Sequence, residues 1–289
     1  MTGASIRAAV AATGLACMGL ALACLPVSAE PVQLKSGQTR LNGNLELPAG
    51  KKVADSVALI VHGTLSHDRQ ETVAALQENL KKHGIGSLAI TQSLGVDNRE
   101  GPRACGLLHD YALAGAQREI AVWMAWLRAE GARSIDLIGF SRGGAQIAVI
   151  APKLDRVGHI VLIAPAFATM DEQAAAYQRT FGHPLAEPLD AARKSPLQKF
   201  TVDFLQCREA PVLGATFLDA YQELLPQLAA ETQYPTLVIV AGKDETVPDL
   251  AKKLPSQVQK VVIENAGHFF PDLYGEEAAD AIAKFLKNE

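Results

Sequence analysis

The chain has 289 residues, 48% of them hydrophobic and 20% charged, a balance that excludes a disordered or low-complexity protein. With 27 Lys and Arg against 31 Asp and Glu, the formal charge of -4 supplies no basic field for a phosphate backbone, so no nucleic-acid partner is expected. Length alone leaves one large α/β domain or two small ones open.

Residues 1–29 read as an export signal. Arg7 is the one charged side chain there; an apolar, Ala-rich run from Ala8 to Leu25 follows, then Pro26 and the small residues Val27-Ser28-Ala29 that a signal peptidase reads. Cleavage is expected after Ala29, leaving a mature domain over 30–289, periplasmic or secreted, without a membrane span of its own. An uncleaved anchor is the alternative, but a run of about 18 residues is short for one, and its small-residue exit favours cleavage. Lipidation at Cys24 is a further alternative; Ala21-Leu22-Ala23-Cys24 lacks the Leu usual three positions before such a cysteine. Removing the leader discards Cys17 and Cys24. The surviving pair, Cys105 and Cys207, is expected to form a disulfide in an oxidising compartment.

In the mature chain, residues 32–48 hold two short extended pieces that suit an antiparallel edge. Val57 to Val61 is a continuous apolar run, a strand buried on both faces. The spacing of Val73, Leu76 and Leu80 predicts a helix over 69–83, followed by a strand from Ile85 to Ile90. Leu113, Ala116, Ile120, Trp123, Met124 and Leu127 share one face of a long helix over 109–130, stopped by Gly131. A strand from Ser134 to Phe140, a helix over 142–151 and a strand from His159 to Ala164 come next. Strands at 236–241 and 260–263 alternate with helical patterns at 246–253 and 275–287. Such alternation predicts an α/β fold: a mostly parallel sheet with helices on both faces and right-handed crossovers. Residues 166–234 break the pattern. Five prolines cut this stretch into short, helical pieces with no strand-like run, and it reads as a cap over one end of the sheet.

The chemistry lies where strands end. Gly139-Phe140-Ser141-Arg142-Gly143 leaves a strand and opens a helix, the setting that the G-x-S-x-G nucleophile elbow requires. Its small residues permit a turn sharp enough to project the Ser141 hydroxyl. A capping serine at a Gly-rich helix start is the plainer alternative. A serine nucleophile needs a base. His67, His83, His159 and His183 stand in positions without matching context, and His109 opens the long helix with no role as base. His268, in Asn265-Ala266-Gly267-His268-Phe269 just past the last strand, is the expected base. Asp244, in Ala241-Gly242-Lys243-Asp244, is the expected acid that orients it, with Glu245 and Asp249 as competitors.

The order Ser141, Asp244, His268, together with His62-Gly63-Thr64 after an early strand and the insertion before the acid, resembles the α/β-hydrolase superfamily over the whole mature chain. The resemblance implies the α/β-hydrolase sheet with its helical cap insertion. It implies an oxyanion held by the backbone amides of Arg142 and Thr64, with Leu65 as the fallback and a wall of the substrate site. His62 is expected to brace this loop or to act directly. Within residues 91–110, Arg99 is a candidate for binding a substrate carboxylate; the alternative is that Asp97–Arg99 or Asp110–Arg103 pairs merely order the loop. A bridge from Cys105 to Cys207 would staple this loop to the cap.

The expected function is that of an exported serine hydrolase, carboxylesterase-like, cleaving a small-molecule acyl substrate through an acyl-enzyme on Ser141. A thioesterase or peptidase of the same fold, or a non-catalytic binding or accessory protein, are the alternatives. No metal ligand spacing and no organic cofactor signal is present, so neither is expected.

Overall fold

The run Val57-Ala58-Leu59-Ile60-Val61 becomes β3 (Val57–Val61), with every residue buried. The computed structural model describes residues 29–224 and 234–288. Around β3 it places β1 (Glu30–Ser36), β2 (Thr39–Glu46), β4 (Gly86–Thr91), β5 (Ile135–Phe140), β6 (Val157–Ile163), β9 (Thr236–Ala241) and β10 (Gln259–Ile263). These eight strands form one sheet in the order β1-β2-β4-β3-β5-β6-β9-β10. The pairs β1–β2 and β2–β4 are antiparallel, and the remaining neighbours run parallel. This is the expected mostly parallel sheet with an antiparallel edge.

The pleat of β3 divides the core in two. Val57, Leu59 and Val61 face α2 (Leu113–Ala129) and α3 (Arg142–Ile150), packing with Ile120, Trp123, Met124 and Ala148. Ala58 and Ile60 face α1 (Glu71–Lys82) and the final helix α8 (Leu273–Leu286), packing with Val73, Leu80 and Ile282. Each large side chain fully buried in these layers contributes about 1.5–3 kcal/mol.

The insertion after β6 contains the expected helices, α4 (Met170–Phe181), α5 (Ala186–Lys194) and α6 (Gly214–Ala220). Thr169 accepts from the Glu172 amide while Glu172 accepts from the Thr169 amide, so a reciprocal cap starts α4. The insertion also contains a hairpin, β7 (Lys199–Phe204) and β8 (Cys207–Leu213), where no strand was expected. Pro211 is tolerated because its nitrogen lies on the edge of β8 away from β7, where β8 meets only the single residue His109 and can spare an amide. Its carbonyl accepts from the His109 amide, and the Leu213 amide donates to His109 O. His109 is therefore extended against the hairpin, and the long helix begins at Leu113 and not at 109. Tyr177, Phe181, Phe204, Phe217 and Tyr221 form a cap core joined by Leu65 and Leu94 from loops of the body.

Helical pattern expected over 246–253 shrinks to α7 (Leu250–Lys253), because the Thr246 and Val247 amides turn back to Asp244 Oδ1. The leader expected over 1–29, save Ala29, and residues 225–233 of the insertion lie outside the described residues. No helix among the described residues is long and apolar enough to cross a membrane.

Cys105 and Cys207 form a disulfide, with 5.3 Å between their Cα atoms, that ties the connection after β4 to the cap hairpin. It closes a ring across a sequence separation of 102, a restriction of the unfolded chain worth up to about 4–5 kcal/mol. The double variant Cys105→Ala/Cys207→Ala is therefore expected to lower Tm by about 10 °C in calorimetry. An unchanged Tm would show that the ring does not restrict the unfolded chain.

Candidate active site

The glycines of Gly139-Phe140-Ser141-Arg142-Gly143 are required by contact, because β5 must turn into α3 almost on top of β3. A Cβ on Gly139 would lie 2.6 Å from the Gly143 backbone, and one on Gly143 would lie 2.4 Å from Val61 O. Ser141 sits at the apex with φ 53° and ψ −119°, a strained conformation for a residue with a side chain. Its amide donates to Ile163 O at 2.8 Å, and its carbonyl accepts from Ala166 N at 3.0 Å, which fixes the turn against β6. Gly63 packs directly beneath, where a Cβ would meet Ser141 Cβ at 3.3 Å.

The edge where β5, β9 and β10 end carries the other two residues. The Ser141 hydroxyl donates to His268 Nε2 at 3.0 Å, and His268 Nδ1–H donates to Asp244 Oδ2 at 2.8 Å. All three residues are buried. Burial alone would raise the Asp244 pKa, but the hydrogen bonds from His268 and from the Val247 and Thr246 amides outweigh it and hold the carboxyl below its usual range. The pair of amides takes Oδ1, leaving Oδ2 for the imidazole. Phe140 and Phe269 flank the ring with centroids 5.3 and 5.2 Å away. The alternative acids stand aside: Asp249 Oδ1 pairs with Lys252 Nζ at 2.6 Å, and Glu245 is exposed.

His62 is a brace. Its Nδ1–H donates to Gly63 O at 2.8 Å, and Nε2 accepts from the Gln92 amide at 3.1 Å and faces Arg99 Nη2 at 3.0 Å. Arg99 is buried and turned inward. It donates to Gln92 O at 2.7 Å, to Ser66 O at 2.7 Å and to Gly101 O at 2.5 Å, so its donors are taken up by the loop and not presented to a substrate. Asp97 pairs with Arg40 at 2.6 Å and not with Arg99. Arg103 likewise bonds the Leu94, Ala104 and Leu108 carbonyls and forms no pair with Asp110.

Thr64, Leu65, Ser141, His268, Phe269 and Cys105 help to line a cleft of about 380 Å³. Two further spaces adjoin it. One of about 550 Å³ lies between the loop after β4, the start of α2 and α6; it shares Gly63 and Leu65 with the cleft. The other, of about 350 Å³, runs under α4 and shares Thr64, Gln206 and Thr246 with the cleft. The Arg142 side chain lines both. Sequence reasoning assigned Arg142 only a backbone role; the signal it passed over was a long cation in the middle of the elbow. Among the described residues no group of three or more His, Cys, Asp or Glu is arranged to hold a metal ion.

A family model described as the alpha/beta hydrolase family matches residues 58–285. No curated protein matches the chain. The chain is similar to Est1E from Butyrivibrio proteoclasticus at 19% identity, with 89% of this chain and 98% of that chain covered and a TM-score of 0.62. It is similar to an esterase from Pyrococcus furiosus at 17% identity, covering 90% and 91%, TM-score 0.63. The alpha/beta hydrolase GrgF from Penicillium sp. sh18 gives 16% identity, covering 91% and 99%, TM-score 0.65. At these identities the likeness is one of fold.

Buried His62 also makes the loop acid-labile. Burial first, and then the Arg99 charge, drives its pKa from 6.5 down to about 3. Between those values the unfolded chain binds a proton that the folded chain does not, so stability falls as pH falls through that window. His109, lowered to about 4 mainly by burial, acts in the same direction. In urea titrations between pH 7 and 4, His62→Gln is expected to flatten the dependence of stability on pH. An unaltered slope would assign the acid lability elsewhere.

Proposed function

We propose that this chain, which belongs to the alpha/beta hydrolase family, is an exported serine hydrolase that cleaves a carboxylic ester through an acyl-enzyme on Ser141. The observation that carries the reading is the relay Asp244–His268–Ser141, at 2.8 and 3.0 Å, on a strained turn at the mouth of a cleft. His268 takes the hydroxyl proton as Ser141 Oγ bonds to the acyl carbon. Asp244 holds the imidazole in the tautomer with Nε2 free and stabilises the imidazolium. The carbonyl electrons move to oxygen, and the amides of Arg142 and Thr64, with Leu65 as the alternative, hold that oxyanion. Arg142 is the first residue of α3, so its amide has no partner within the helix and is free for this purpose. The electron pair then returns, the C–O bond breaks, and His268 gives its proton to the departing alcohol. Water, deprotonated by the same histidine, clears the acyl group and regenerates Ser141.

Export through residues 1–29 is part of the same reading. Its support is the apolar leader with its small-residue exit and a disulfide of the kind that persists in an oxidising compartment.

A fluorophosphonate probe is expected to label the folded protein and to fail on Ser141→Ala; absence of labelling on folded wild-type protein would overturn the catalytic reading. Asp244→Asn is expected to lower kcat by about 10⁴-fold with little change in folding. Undiminished turnover in that variant would move the acid role to another carboxylate.

A further inference from the structure

Three arginines stand in or beside the loops around the site, and the protein treats them differently. Arg99 and Arg103 are each held by three loop carbonyls, through Nε and at least one terminal nitrogen. Arg142, next to Ser141, makes a single side-chain hydrogen bond among the described residues, Nη2 to Ala220 O at 3.1 Å, and no ion pair. Its Nε–H is buried without a partner. A guanidinium carries five donors in a rigid fork, so this one retains most of its capacity in a half-buried place where an unpaired charge is costly.

The acids of the neighbouring 550 Å³ cavity form no ion pair with Arg142. Glu119 spends both oxygens on Ser93, one on the amide and one on the hydroxyl, and burial pushes its carboxyl up. Asp219 accepts from the Leu113 amide at 2.9 Å and from Gln222 Nε2 at 3.2 Å; burial pushes it up as well, opposed in part by these bonds and by the charge of Arg142, with which it makes no hydrogen bond. Arg118 and Asp110 are exposed at the rim.

We propose that the Arg142 guanidinium receives a carboxylate carried by the substrate, so that the chain acts on esters bearing an anionic group near the scissile bond. The proposal rests on the esterase reading above and narrows it. A planar carboxylate matches the fork, and Arg142 lines both spaces beside the cleft, so the anion can sit on the acyl or the alcohol portion.

Two ester pairs followed in a pH-stat test it. Monoethyl adipate against ethyl hexanoate places the carboxylate on the acyl side; butyryloxyacetate against propyl butyrate places it on the alcohol side. Wild-type protein is expected to favour the charged member of at least one pair, which also identifies the side. Arg142→Gln, which keeps the backbone amide, is expected to lower that charged-to-neutral ratio of kcat/KM about tenfold or more, with Arg142→Lys intermediate. A wild-type preference for the neutral member of both pairs, or a ratio unchanged in Arg142→Gln, would overturn the proposal. If no ester is hydrolysed, the esterase reading fails by itself, and calorimetry with adipate still decides the site. Adipate binding lost in Arg142→Gln supports it; no binding to wild-type protein overturns it.

Discussion

The arrangement at this sheet edge depends on one steric constraint: three backbones meet where side chains cannot fit. With Gly143 lying 2.4 Å, in terms of a hypothetical Cβ, from a carbonyl of β3, α3 can start directly above the strand that precedes it. The turn that results forces Ser141 into a left-handed φ, and this lifts its hydroxyl to His268. It also throws the Arg142 side chain outward to the cap, where it reaches Ala220 O. Backbone proximity of that kind tolerates little adjustment. Strain of this sort costs on the order of 1–3 kcal/mol and survives only because both core layers hold β3, β5 and α3 in place.

Most of the sheet was legible in the sequence because fully buried parallel strands leave unbroken apolar runs, such as Val57 to Val61, and helices leave a 3.6-residue stripe. The meeting of Ser141, Asp244 and His268 was legible for a related reason: each follows a strand, and parallel strands end at the same edge. The cap was less legible. Lys199 to Phe204 alternates only weakly, and Pro211 argues against a strand unless its nitrogen is known to face away from the partner strand, which is a tertiary fact. The helix expected from 246 was cut short because its first amides serve the Asp244 carboxylate instead.

Arginines in polar loops were the least legible feature. Nothing in Asp97-Asn98-Arg99 says whether the guanidinium will face a substrate or its own loop. The outcome depends on how many carbonyls the folded loop turns inward, and for Arg99 it turns in three, with His62 alongside. Residue type fixes what a side chain can bind, whereas the surrounding fold fixes how much of that capacity remains.

The bridge between Cys105 and Cys207 has a covalent consequence. Ser141 stands inside the closed ring, while Asp244 and His268 stand on the tail beyond it. A single backbone cut anywhere in the ring, including α4, α5 or β7, leaves the serine and its two partners on fragments still joined through sulfur. A cut between Cys207 and Asp244 divides them into separate molecules. Resistance of the assembled site to proteolytic nicking is thus unequal along the chain, and the oxidation state of one sulfur pair draws the boundary.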